Sequence, residues 1–111
     1  MAVRRAHYRE SMIGHVVAFQ LTAASDAERA ADISGMQERL AALVGVVPGL
    51  QSISLKPDLG LLEDHWDVAL VSDHDDNEAL EGYQAHPAHK EAGAFIRSVT
   101  SSDRVTVDYE L

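Results

Sequence analysis

At 111 residues the chain has the length of one compact domain, and an apolar fraction of 46% supplies a core and argues against disorder. It contains no cysteine, which excludes a disulfide framework, a thiolate nucleophile and a cysteine-based metal site, and which fits a reducing, cytoplasmic setting. Nine basic residues against 18 acidic ones leave a formal charge of −9, which repels phosphate and anionic lipid and argues against nucleic acid or a membrane as partner.

Residues 1–11 carry Arg4, Arg5 and Arg9 but no apolar stretch of the kind a secretory signal needs. They read as a solvated extension ahead of a domain over residues 12–111. Residues 12–21 alternate: Ile13, His15, Val17, Phe19 and Leu21 point one way, while Gly14, Val16, Ala18 and Gln20 point the other, the period of a strand. Ser25 with Glu28 three residues on reads as a capping box. The helix it opens carries Ile33, Met36, Leu40, Leu43 and Val44 at helical spacing. Gly35 within it costs roughly 1 kcal/mol against alanine, so this helix depends on packing. Gly45 and Pro48-Gly49 end it.

A second strand is expected over residues 50–56 and a third over residues 65–72, with a turn at Pro57-Asp58-Leu59-Gly60 between them. In the third, Trp66, Val68 and Leu70 share one face, and His65, Asp67, Ala69 and Val71 the other. Asp75 and Glu78 read as the start of a second helix whose inner face runs Ala79, Leu80, Tyr83. Pro87 suits the first position of another helix, running to about Ser98 through Ala92, Phe95 and Ile96. Residues 104–110 close the chain as a strand, with Val105, Val107 and Tyr109 opposite Thr106 and Asp108.

This order predicts an α+β sandwich of βαββαβ type, with helices on one face of an antiparallel sheet. The other face, assigned Trp66, Val68, Leu70, Val16 and Ala18, is too apolar to leave in water. A two-fold homodimer packing sheet against sheet is the expected solution.

Chemistry concentrates in Tyr83-Gln84-Ala85-His86-Pro87-Ala88-His89, where a tyrosine and two titratable histidines surround a helix-starting proline. His89, Ala92, Gly93 and Ile96 fall at i, i+3, i+4 and i+7, so His89 faces inward among apolar neighbours. Tyr83 faces inward with Ala79 and Leu80. His15 lies on the inner face of the first strand. If the third strand is in the stated register, Asp67 is an inward carboxylate that requires a partner; a slip of one residue turns it outward. Ala69, Ala92 and Gly93 are small and leave room for a ligand. Each group also has a structural reading: Tyr83 and His89 as core, His86 as a helix cap, Trp66 as dimer core. His74-Asp75-Asp76 resembles a metal ligand set, but capping explains the aspartates, and the six histidines have no zinc-type spacing. No metal and no cofactor are expected.

Gly14-His15-Val16-Val17, a helix ending in Val47-Pro48-Gly49-Leu50, and Tyr83-x-x-His86-Pro87-x-His89 together resemble the stress-responsive dimeric A/B-barrel domain family. The resemblance covers residues 12–111 and implies a ferredoxin-like protomer that dimerises into an eight-stranded α/β barrel. One characterised type of member is a polyketide cyclase that closes a linear chain by an aldol-type reaction without metal or cofactor. Its catalytic tyrosine and histidine match Tyr83 and His89, and its first-strand histidine matches His15. A further pocket histidine falls at Asp67.

The resemblance implies catalytic roles for Tyr83 and His89, with His15, Asp67 and His86 as candidate contacts to a small hydrophobic, ketone-like or phenolic ligand. Three functions remain open. They are a cofactor-free, cyclase-like enzyme; a non-catalytic stress-related or ligand-binding dimer; and a cofactor-independent monooxygenase of the same fold.

Overall fold

The computed structural model describes residues 11–111; the basic arm of Arg4, Arg5 and Arg9 lies outside them. The elements run β1 (Ile13–Leu21), α1 (Asp26–Ala41), β2 (Leu50–Pro57), β3 (Val68–His74), α2 (Asn77–Ala85), α3 (Pro87–Val99) and β4 (Thr100–Glu110). The strands form one antiparallel sheet in the order β2-β3-β1-β4. This is a ferredoxin-like α+β fold, with the second helical region split into α2 and α3.

Each helix begins where a side chain replaces a missing backbone partner. Ser25 Oγ accepts from Glu28 N at 3.1 Å and donates to the Glu28 carboxylate at 2.9 Å, which is the N-cap half of the expected capping box with the glutamate bound to the cap hydroxyl rather than to its backbone N–H. The cap of α2 is Asp76, whose carboxylate accepts from Ala79 N at 2.8 Å. Asp75, the expected cap, instead accepts from the Gln51 side chain at 2.7 Å.

Gly35 faces α3. A Cβ there would lie 2.8 Å from the Phe95 ring, so the missing side chain lets the two helices approach. The Arg39 guanidinium covers the same ring, 3.7 Å from its centroid. Packing thus offsets the propensity cost expected for this glycine. The helix ends at Ala41, leaving Val44 exposed beyond it.

The core lies between the helices and the inner face of the sheet. Val17, Phe19, Leu55, Val68 and Leu70 meet Met36, Leu40, Leu80 and Ile96 there. Register corrects the expected third strand. It begins at Val68 rather than residue 65, and Phe19↔Val68, Val17↔Leu70, His15↔Ser72 and Ile13↔His74 are paired. Directly paired residues share a face, so Val68, Leu70, Ser72 and His74 point at the helices, and Ala69 and Val71 point away. Both alternating sets are apolar near the strand's start, so period two alone could not choose between them; burial of the larger side chains does.

The outer face still carries Val16, Ala18 and Val71 beside the exposed Val105, Val107 and Tyr109 of β4. No helix among the described residues is long and apolar enough to cross a membrane.

Gly49 sets the spacing between β2 and α2. Its φ is +81°, and a Cβ there would stand 2.5 Å from Ala79 Cβ. Left-handed strain and overpacking therefore combine in Gly49→Ala, which is expected to lower unfolding free energy by about 2 to 4 kcal/mol in urea melts. Gly45→Ala, at φ +88° with open space around it, should show only the strain part.

Candidate active site

Sheet register and two helix caps bring the polar groups together. Antiparallel pairing sets His15 on β1 beside Ser72 on β3 and Asp108 on β4, all on the helix-facing side. His86 turns the chain from α2 into α3: its Nδ1 accepts from Ala88 N at 3.0 Å, and Pro87 occupies the first helical position. This turn aims Tyr83, from the last part of α2, and His89, from the first turn of α3, at the same space.

Tyr83 is the hub. It is 1% exposed, with its ring centroid 4.2 Å from that of His89, 4.7 Å from His74 and 6.1 Å from His15. A cavity of about 270 Å³ opens beside it, with His15, Tyr83 and His89 in its wall and Val17, Phe19, Leu40, Leu70 and Ile96 supplying apolar lining. Tyr83 and His89 are in ring contact rather than hydrogen-bonded to each other. The Tyr83 hydroxyl has no hydrogen-bond partner among the described residues.

The hydrogen bonds assign tautomers. His89 Nδ1 lies 3.3 Å from the carbonyl oxygen of Gln84, which can only accept; the proton sits on Nδ1 and leaves Nε2 as a lone pair. His15 Nδ1 donates to the Asp108 carboxylate at 2.5 Å, so its Nε2 is likewise the uncommitted nitrogen. Burial lowers the pKa of His89, against a smaller opposing effect of the Gln84 carbonyl. Burial pushes the Tyr83 phenol up to about 12. At neutral pH the site therefore offers a neutral imidazole and a protonated phenol, an acceptor and a donor side by side.

Two of the expected groups lie elsewhere. The Asp67 carboxylate accepts from Leu21 N at 2.7 Å and pairs with Arg29 at 3.1 Å, tying the end of β1 to α1. It precedes β3 and is not part of the cavity wall, because the strand starts one residue later and in the opposite facing. His86 is consumed as the cap of α3.

Ser72, His74 and Asp108 stand behind the cavity wall, Ser72 and Asp108 beside His15 and His74 against Tyr83, and none of them was a candidate for this site in the sequence, where His74 read only as part of a possible metal set. Their signal was present: Ser72 and His74 continue the alternation of Val68 and Leu70, and Asp108 alternates against Val107 and Tyr109. His74 is fully buried. Its Nε2 lies 2.8 Å from Ser72 Oγ, while its Nδ1 has no hydrogen-bond partner among the described residues. Among the described residues no group of three or more histidines and carboxylates is arranged to hold a metal ion.

With fold and site in view, the class is that of a ferredoxin-like protomer with a histidine- and tyrosine-lined cavity between sheet and helices. The profile of the stress responsive A/B barrel domain matches residues 13–111, and the chain belongs to that family. No curated protein matches it. Among solved structures it resembles a dimeric ferredoxin-like protein of unknown function from Bacteroides fragilis, at 26% identity and a TM-score of 0.80, over 94% of this chain and 100% of that one. It also resembles a dimeric ferredoxin-like protein of unknown function from Thermobifida fusca, at 28% identity and a TM-score of 0.74, over 94% of each chain. A cofactor-independent oxygenase from Streptomyces nogalater shares the fold at 15% identity and a TM-score of 0.69, over 91% of this chain and 93% of that one. The dimeric neighbours support self-association.

Burial holds the folded-state pKa of His74 below the ordinary 6.5. The unfolded chain then takes up the proton first, so stability present above pH 6.5 is lost as pH falls from there through the folded value. The midpoint of urea unfolding should drop between pH 7 and pH 5, and His74→Gln should flatten that drop. His89, lowered in the same direction, accounts for a remaining slope.

Proposed function

We propose that this chain forms a homodimeric A/B barrel whose cavity performs cofactor-free acid–base chemistry on a small ketone or phenolic compound. The observation that carries this reading is the convergence of Tyr83, His89 and His15 on one apolar cavity, with both histidines anchored at Nδ1 and free at Nε2. In the proposed reaction His89 Nε2 removes a proton from the carbon beside a carbonyl. The Tyr83 hydroxyl donates to the oxygen on which negative charge develops. His15, oriented by Asp108, holds the far side of the substrate, and the proton taken up by His89 is given back from its Nε2 to the product. The apolar walls keep water from competing.

The ordinary imidazole takes its proton near 6.5, and burial places His89 lower. The rate should therefore rise with pH below about 6.5 and then stay level, because the Tyr83 phenol keeps its proton to about 12. In a screen of polyketide-like and phenolic ketones, turnover by the wild type should fall about 10²- to 10⁴-fold in His89→Ala and in Tyr83→Phe. Unchanged turnover in both variants overturns the mechanism. Binding without turnover in the wild type would instead mark a ligand carrier. Oxygen consumption would mark a monooxygenase.

The apolar outer face of the sheet supports the homodimer, since Val105, Val107 and Tyr109 stand exposed beside Val16 and Val71. Val107→Glu places a charge in that patch and should convert a dimer to a monomer in sedimentation velocity runs. The absence of cysteine supports a cytoplasmic location. Residues 1–11 are proposed to be an extension outside the domain.

A further inference from the structure

Two cations that the proposed acid–base steps do not use also line the cavity. Arg97 on α3 and Arg104 on β4 are both exposed residues in its wall. The chain has 18 acidic residues against nine basic, yet neither arginine pairs with a carboxylate among the described residues. Arg29, by contrast, is paired with Asp67.

The Arg97 side chain runs back along its own helix: its Nη1 is 3.2 Å from where a Cβ on Gly93 would stand. Gly93 therefore leaves the guanidinium a bed in the cavity wall, one turn from His89, about 6 Å along the helix axis. That charge reaches His89, where it is among the influences that disfavour protonation. Arg104 pairs across the sheet with Phe19, and its guanidinium carbon is 5.2 Å from the centroid of that ring. Phe19 is four residues along β1 from His15, roughly 13 Å. Arg97 thus stands in the cavity wall beside the acid–base groups, and Arg104 stands in the same wall at its Phe19 end.

We propose that Arg97 and Arg104 form an anion-reading subsite, so that the molecule turned over at Tyr83 and His89 is one that carries a carboxylate. This deepens the acid–base reading and rests on it. A guanidinium presents a planar fork of N–H donors that matches a carboxylate in two parallel bonds. A carboxylate held there fixes which end of an otherwise apolar molecule reaches His89. It also admits anionic molecules to a protein whose net charge repels them.

The test uses hydroxyphenylpropanoate and its neutral primary amide as a matched pair, titrated into the full-length protein by calorimetry at low salt. The acid should bind roughly tenfold tighter than the amide, the scale of one charge-assisted hydrogen bond. Added salt should narrow that gap. The double variant Arg97→Gln/Arg104→Gln should bind the acid and the amide equally. Circular dichroism of the variant should match wild type, since neither side chain is part of the core. Equal binding of acid and amide to the wild type, or a preference that survives the double substitution, overturns the anion-reading subsite alone. Binding of neither compound, with no perturbation of the His89 or Tyr83 resonances, overturns the cavity reading and the subsite with it.

Discussion

One phenol ring holds the site together. Tyr83 is packed against His74 and His89 and faces His15, so three imidazoles from two strands and a helix are grouped around a single aromatic plane. Its position depends in turn on two caps and a glycine. Asp76 starts α2, Gly49 lets α2 sit close against β2, and His86 breaks the chain cleanly into α3. The reacting geometry is therefore a product of how three chain segments enter and leave their helices.

Burial then decides the chemistry those groups offer. The same desolvation that pushes the phenol up to about 12 holds the imidazoles of His74 and His89 below their ordinary value. A tyrosine kept protonated and a histidine kept neutral are the forms that can donate and accept at the pH of a cell. The anchoring bonds add direction. With Nδ1 of His89 committed to the Gln84 carbonyl and Nδ1 of His15 to Asp108, each imidazole has one free nitrogen. His74 has a different status: one nitrogen bonds Ser72, and the other is buried without a partner among the described residues. It stiffens the floor under Tyr83 at a cost in stability that grows as pH falls.

Asp67 shows how a single residue of register separates a pocket residue from a structural tie. Read as part of β3, it falls among inward residues. In the fold it precedes the strand, and its carboxylate serves the backbone of Leu21 and the guanidinium of Arg29. The apolar character of both faces of β3 is the underlying reason. It is also why the outer face remains rich in valine after the correction, with Val71 in place of the expected Val68 and Leu70.

The sequence by itself determined the kind and order of the elements, because hydrophobic period, Ser25 with Glu28, and Pro87 are local signals that act within a few residues. It determined the Tyr83–His89 segment as the place where chemistry gathers, and the class of fold through its motifs. Only the tertiary structure decided which face of β3 meets the helices, and so that Ser72 and His74 rather than Asp67 stand beside His15. Only it brought Asp108 to His15, and Arg97 and Arg104 to the cavity. Cross-strand register and helix packing are sums over many distant contacts, and a two-residue period with apolar side chains on both sides leaves that sum undetermined until the whole sheet is assembled.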